Sequence, residues 1–116
     1  MGASVTNECR CLTPPFRATD FDSEVVGVDA TNLRFGEVSV DTCNCCGSKW
    51  LTYFVEYEGF TESGRYFRGL ASPEELQGLT PDRAVAVLQG LDWHFRGGSY
   101  FRTQGERASG PMRVDL

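Results

Sequence analysis

Trp50-Leu51-Thr52-Tyr53-Phe54-Val55-Glu56-Tyr57 is the stretch on which the fold turns. It is dense in aromatic and β-branched residues, which suit a pleated surface better than a helix. Strand periodicity puts Leu51, Tyr53, Val55 and Tyr57 on one face and Trp50, Thr52, Phe54 and Glu56 on the other. The first face is the better core candidate. Downstream, Glu58-Gly59-Phe60-Thr61-Glu62-Ser63-Gly64 is rich in turn residues, and Arg65 to Leu70 again reads as a strand. The pair predicts a β-hairpin with a long loop.

Upstream, Val25-Val26-Gly27-Val28 fits a short strand. Leu33, Phe35, Val38 and Val40 alternate, and Gly36 interrupts them in the manner of a bend or bulge. On the far side, Thr80-Pro81-Asp82 opens a helix: a capping hydroxyl, a proline suited to the first turn, and a carboxylate at the positive end. Ala84, Val87, Leu88 and Leu91 follow at helical spacing. Ser72-Pro73-Glu74-Glu75 is a weaker start signal, enough for one turn. Trp93-His94-Phe95 and Ser99-Tyr100-Phe101-Arg102 suggest closing strands around Gly97-Gly98. The expected fold is α+β: a small antiparallel sheet, one main helix at about 81–91, and an irregular N-terminal arm. Residues 1–103 form a single domain, and the Gly-, Ser- and Arg-rich stretch 104–116 reads as a mobile tail. A chain of 116 residues with 41% hydrophobic residues fits one modest core, for which a metal clip would matter.

All five cysteines fall in two groups, Cys9-Arg10-Cys11 and Cys43-Asn44-Cys45-Cys46-Gly47. Two close pairs joined by a fold are how four-thiolate zinc sites are built. Cys43-x-x-Cys46-Gly47 has knuckle spacing, and its glycine permits a tight turn whose amides approach the sulfurs. The predicted ligands of a structural Zn2+ are Cys9, Cys11, Cys43 and Cys46, with Cys45 excluded; Cys45 in place of Cys43 or Cys46 stays open. Disulfides, a redox or metal-handling role for Cys45-Cys46, and unligated thiols are the competing readings. The cysteine count is odd and the N-terminus carries neither a basic start nor an apolar stretch, which points to a reducing cytoplasm.

Net charge is −5, which disfavours nucleic acid and anionic membranes as partners and suits a basic protein. No apolar run is long enough to span a bilayer. Lys49 is the only lysine among eleven basic residues, a usage that fits an arginine-rich, GC-rich bacterial genome. Glu56, Glu58 and Glu62 adjoin Trp50 and Phe54, and aromatic anchors beside negative charge suit a basic protein surface. His94, the only histidine, sits between Trp93 and Phe95 and reads as a packed strand residue rather than a base. Ser99 lacks the second glycine of a nucleophile elbow, because Phe101 stands there.

The run from Cys43-x-x-Cys46-Gly47 through Trp50-Leu51-x-Tyr53 and Glu56 to Ser63-Gly64-Arg65, with Gly97-Gly98-Ser99-Tyr100-Phe101, resembles a pattern in small bacterial proteins. Some of these resemble immunity proteins of bacterial toxin systems, which bind and neutralise a partner toxin. The resemblance implies a protein-binding role; it carries over no inhibitory residue. The sequence therefore predicts a cytoplasmic, acidic, zinc-stapled protein-binding module, with an immunity protein as its specific form. A zinc-ribbon-like nucleic-acid-binding or regulatory module using Arg65, Arg68, Arg96 and Arg102 is the alternative. A small enzyme using His94 or Cys45 is the third reading.

Overall fold

A computed structural model describes residues 18–31, 35–55, 65–98 and 106–112. They build a six-stranded antiparallel sheet whose spatial order equals the chain order. The strands are β1 (Phe21–Asp29), β2 (Gly36–Cys43), β3 (Lys49–Val55), β4 (Arg65–Leu70), β5 (His94–Gly98) and β6 (Glu106–Ala108). Two short helices, α1 (Pro73–Leu76) and α2 (Ala84–Gly90), lie in the connection from β4 to β5.

The predicted α+β class is corrected. The described residues are 50% strand and 23% helical, closer to an all-β fold. The helix expected at 81–91 is present in substance, but it is a 3-10 turn at Pro81–Arg83 followed by seven residues of α2. Two turns of helix serve as a patch over the sheet, not as a second layer of equal weight. Thr80 does not cap it: its hydroxyl donates to Asp82 Oδ1 at 2.6 Å, so the free amides gain nothing from it. Ser72 does cap α1. Its Oγ accepts from the Glu75 amide at 3.1 Å while its own amide donates to Glu75 Oε1 at 2.7 Å, a reciprocal capping box.

Strand pleating sorts the sheet into two faces. Val38, Leu51, Tyr53, Val55 and Phe67 form the floor of the main core, and Ala84, Val85 and Leu88 of α2 close it. Each fully buried aliphatic side chain there contributes about 1.5–3 kcal/mol. The expectation for Leu51, Tyr53 and Val55 is met in this packing; Tyr57 lies outside the described residues. Met112 also packs into this core, and Glu106–Ala108 pairs with β5. The stretch read as a tail from its composition therefore contains an edge strand and a core anchor. Few apolar residues were needed, because one methionine and one backbone ladder hold the segment.

Two glycines shape the sheet. The bulge expected at Gly36 occurs in β1, between Val25 and Gly27. Gly27 has φ +151, and a Cβ there would lie 2.8 Å from Pro81 Cγ, so the glycine both turns the strand and admits the 3-10 turn against it. Gly36 instead makes room for an aromatic ring: a Cβ on it would lie 2.3 Å from Tyr53 Cζ. With that space, Tyr53 reaches across to donate its hydroxyl to the buried Asp29 Oδ2 at 2.7 Å.

Candidate metal centre at the cysteine turn

Cys43 closes β2 and Lys49 opens β3, so the second cysteine group is a hairpin turn. The Cys43 amide donates to the Ser48 carbonyl at 2.8 Å, and the Gly47 amide donates to the Cys43 carbonyl at 2.9 Å. Gly47 has φ +78 with open space where a Cβ would stand, so its role is conformational. The Cys45 amide donates to Cys43 Sγ at 3.4 Å. Such an amide offsets charge on a thiolate, as the N–H groups that hydrogen-bond metal-bound sulfur do. The Cys46 thiol donates to Ser48 Oγ at 3.1 Å. Cys43 is buried; Cys45 and Cys46 are exposed. The turn thus offers two cysteines at knuckle spacing, with one backbone donor on Cys43 Sγ that comes from Cys45.

Cys9 and Cys11 lie outside the described residues, and among the described residues no group of three or more His, Cys, Asp or Glu could hold a metal. What the fold does provide is proximity of the arm's root. The 3-10 turn Ala18–Asp20 leads into β1, and Phe21 pairs with Cys43. The Asn44 amide donates to the Asp20 carbonyl at 2.9 Å, and Asn44 Nδ2 donates to the Thr19 carbonyl at 3.4 Å. Cys11 precedes Ala18 by seven residues and Cys9 by nine, tethers of at most about 25 Å and about 32 Å.

The face of the sheet away from α2 holds a second cluster: Phe21, Cys43, Trp50 and Phe95. Trp50 is 0% exposed, so its indole is not presented as a docking anchor. It stacks on Phe95 at 5.8 Å and meets Trp93 edge-on. The Arg68 guanidinium lies 4.6 Å from the Phe21 ring centre and 5.3 Å from that of Trp50. Its Nη2 faces Asp41 Oδ2 at 3.5 Å, and Asp41 also accepts from Thr52 Oγ1 and Ser39 Oγ. Phe54 is half-buried, and Glu56, Glu58 and Glu62 lie outside the described residues.

Exposed apolar side chains occur elsewhere: Val25 at 64%, Val28 at 55% and Phe35 at 61%. Val25 sits opposite Ser39 and Val28 opposite Glu37, so the bulge brings both valines to one face although three positions separate them. Sequence reading missed this surface because strict alternation would split the pair; Gly27 was the available signal. On the α2 side of β1, a groove of about 840 Å³ runs between the sheet and α1. Val26, Val40, Leu76 and Leu79 line it, with Glu24 and Glu74 and the Lys49 side chain, whose Nζ donates to Thr42 Oγ1.

The residues of the other readings are placed as well. His94 is 1% exposed and meets Phe67 edge-on in the core. Burial lowers its pKa from 6.5, Arg96 adds to that, and the Leu88 carbonyl opposes it. Cys45 is exposed on the turn. Arg68 is buried beside Asp41, and Arg96 bridges Glu106 at 2.8 Å. Arg65 opens β4, and Arg102 lies outside the described residues. Among the described residues no helix is long and apolar enough to cross a membrane. Comparison with known protein families, curated proteins and solved structures finds no match to the chain.

Proposed function

We propose that this chain is a small acidic protein-binding module that takes a basic protein partner, with a toxin-neutralising immunity protein as its specific form. The observation that supports it is the surface of β1. Exposed Val25 and Val28 stand on one face of this edge strand and exposed Asp22 and Glu24 on its other face, in a chain of net charge −5. Apolar contact area gives such a surface affinity, and the negative field speeds and selects the encounter with a basic partner. The test is co-purification of the tagged chain with the products of the genes flanking its own. A one-to-one complex with a basic protein, weakening as salt is raised, is expected. Absence of any such complex, or a complex indifferent to salt, overturns the reading.

The same proposal includes a structural zinc on Cys9, Cys11, Cys43 and Cys46, which fastens the arm to the β2–β3 turn. Two things support it: the sulfur-facing amide of Cys45, and the hydrogen bonds that tie the root of the arm to Asn44. Elemental analysis of protein purified without chelator tests it. One zinc per chain is expected; no metal with five titratable thiols in the folded state overturns it.

A further inference from the structure

We infer that the outer edge of β1 receives an extended segment of the basic partner, which joins the sheet as an added strand with alternating basic and apolar side chains. This rests on the protein-binding reading above and deepens it to a mode of recognition.

The backbone comes first. β1 is terminal in the sheet order and runs nine residues, whereas β6, the opposite edge, runs three. The Asn44 amide bonds the Asp20 carbonyl, which fixes the alternation of the β1–β2 ladder. By that alternation Asp22 and Glu24 turn their main-chain groups toward β2, and Ser23 and Val25 turn theirs outward. Among the described residues no strand pairs with this outer side. A row of outward N–H and C=O groups is a template for strand addition.

The side chains then select the occupant. On the α2 face, Asp22 and Glu24 stand at the edge, and behind Glu24 lies the groove lined by Val26 and Leu79 with Glu74. A lysine or arginine on an added strand would lay its aliphatic stem along those apolar residues and carry its charge to the carboxylates. Alternate residues of the added strand would meet Ser23 and the exposed Val25 on the opposite face, where an apolar side chain fits. A second copy of this chain is the poorer occupant, because edge-to-edge pairing would bring the acidic side chains of two β1 strands together. The bulge after Val25 limits the regular part of the edge to Phe21–Val25, about the length of a short linear motif.

The experiment uses the full chain, isotopically labelled, and a synthetic capped peptide of alternating lysine and valine. Controls are the same peptide N-methylated at every second residue, and an isomer with lysines and valines in blocks. Expected results are salt-sensitive binding, slowed amide exchange at Ser23 and Val25, and a loss of affinity of about tenfold or more on N-methylation or in Glu24→Lys, equal to at least about 1.4 kcal/mol. Glu24 is exposed, so this variant folds. Binding that survives N-methylation and Glu24→Lys, shifts confined to other strands, or no binding at millimolar peptide overturns the inference. Slowed exchange at Ser23 and Val25 in the chain alone as its concentration rises would assign the edge to a second copy and overturn it too. A flanking-gene partner that binds salt-sensitively but ignores Glu24→Lys would sink strand addition at β1 and leave the protein-binding reading standing.

Discussion

Replacing Arg68 by alanine should destabilise the fold by about 3–4 kcal/mol. Its side chain and that of Asp41 are each 9% exposed, so the ion pair at 3.5 Å is shielded from water and salt. Removing one member of a buried pair typically costs about 3–5 kcal/mol, because the other charge stays behind unmatched. Loss of the guanidinium over Phe21 and Trp50 adds roughly 1 kcal/mol. Thr52 Oγ1 at 2.8 Å and Ser39 Oγ at 3.2 Å keep donating to Asp41, which softens the loss and pulls the total to the lower part of the range. A domain of this size has about 5–15 kcal/mol in hand, so the variant still folds but its urea midpoint drops sharply. Trp50, 5.3 Å from the guanidinium, reports the transition by fluorescence. The double variant Arg68→Met with Asp41→Asn should recover most of the loss, since neither site then holds a buried charge. The reasoning is refuted if Arg68→Ala costs under about 1 kcal/mol, the value of an exposed pair. It is also refuted if the double variant loses the full sum of the two single changes.

Gly36→Ala should cost about 1–3 kcal/mol by driving the Tyr53 ring from Asp29; Tyr53→Phe should reproduce much of that loss in urea titrations, since it removes the same 2.7 Å bond. His94 is held neutral in the fold, with its pKa below the ordinary value of 6.5, so the unfolded chain binds the proton first. Stability should be full above about pH 6.5 and fall as pH drops through the folded pKa, and His94→Gln should flatten that slope in urea midpoints taken from about pH 7 to 5. Cys43→Ser and Cys46→Ser should lower zinc content and thermal stability far more than Cys45→Ser, and a strong chelator should reproduce the loss in the unaltered chain; a Cys45→Ser variant that alone loses zinc would reassign the ligand.

How much could be read beforehand follows from the range of each signal. Alternation is local, so the β3–β4 hairpin and the core face of Leu51, Tyr53 and Val55 were legible. Ser72-Pro73-Glu74-Glu75 is a local signal too, so the single turn of α1 was legible, though its reciprocal capping bonds were not read. The weight of helix against sheet was not, because the helix pattern around Ala84–Leu91 looks the same whether two turns or five are built. β6 was invisible: Glu106-Arg107-Ala108 has no strand composition, and only pairing with β5 makes it one. Trp50 shows a further gap. Periodicity put it opposite the core, correctly as to face, but could not reveal that an aromatic and arginine cluster buries that face as well. The cysteine turn was readable from Gly47; the contacts of Asn44 with Thr19 and Asp20 required the fold.

Strand order that equals chain order has a consequence for how the molecule forms. Along β1 to β4 each strand finds its partner in the segment made just before it, so early ladder contacts close small loops at little entropic cost. Low contact order of this kind favours rapid assembly for an all-β chain. The connection from β4 to β5 is the exception, because residues 71–93 must fold back over the sheet before Phe95 can reach Arg68. Until α2 docks, Leu51 and Val55 stand uncovered on a half-built sheet. The chain's exposure to misassembly is therefore concentrated in the interval between the fourth strand and the fifth.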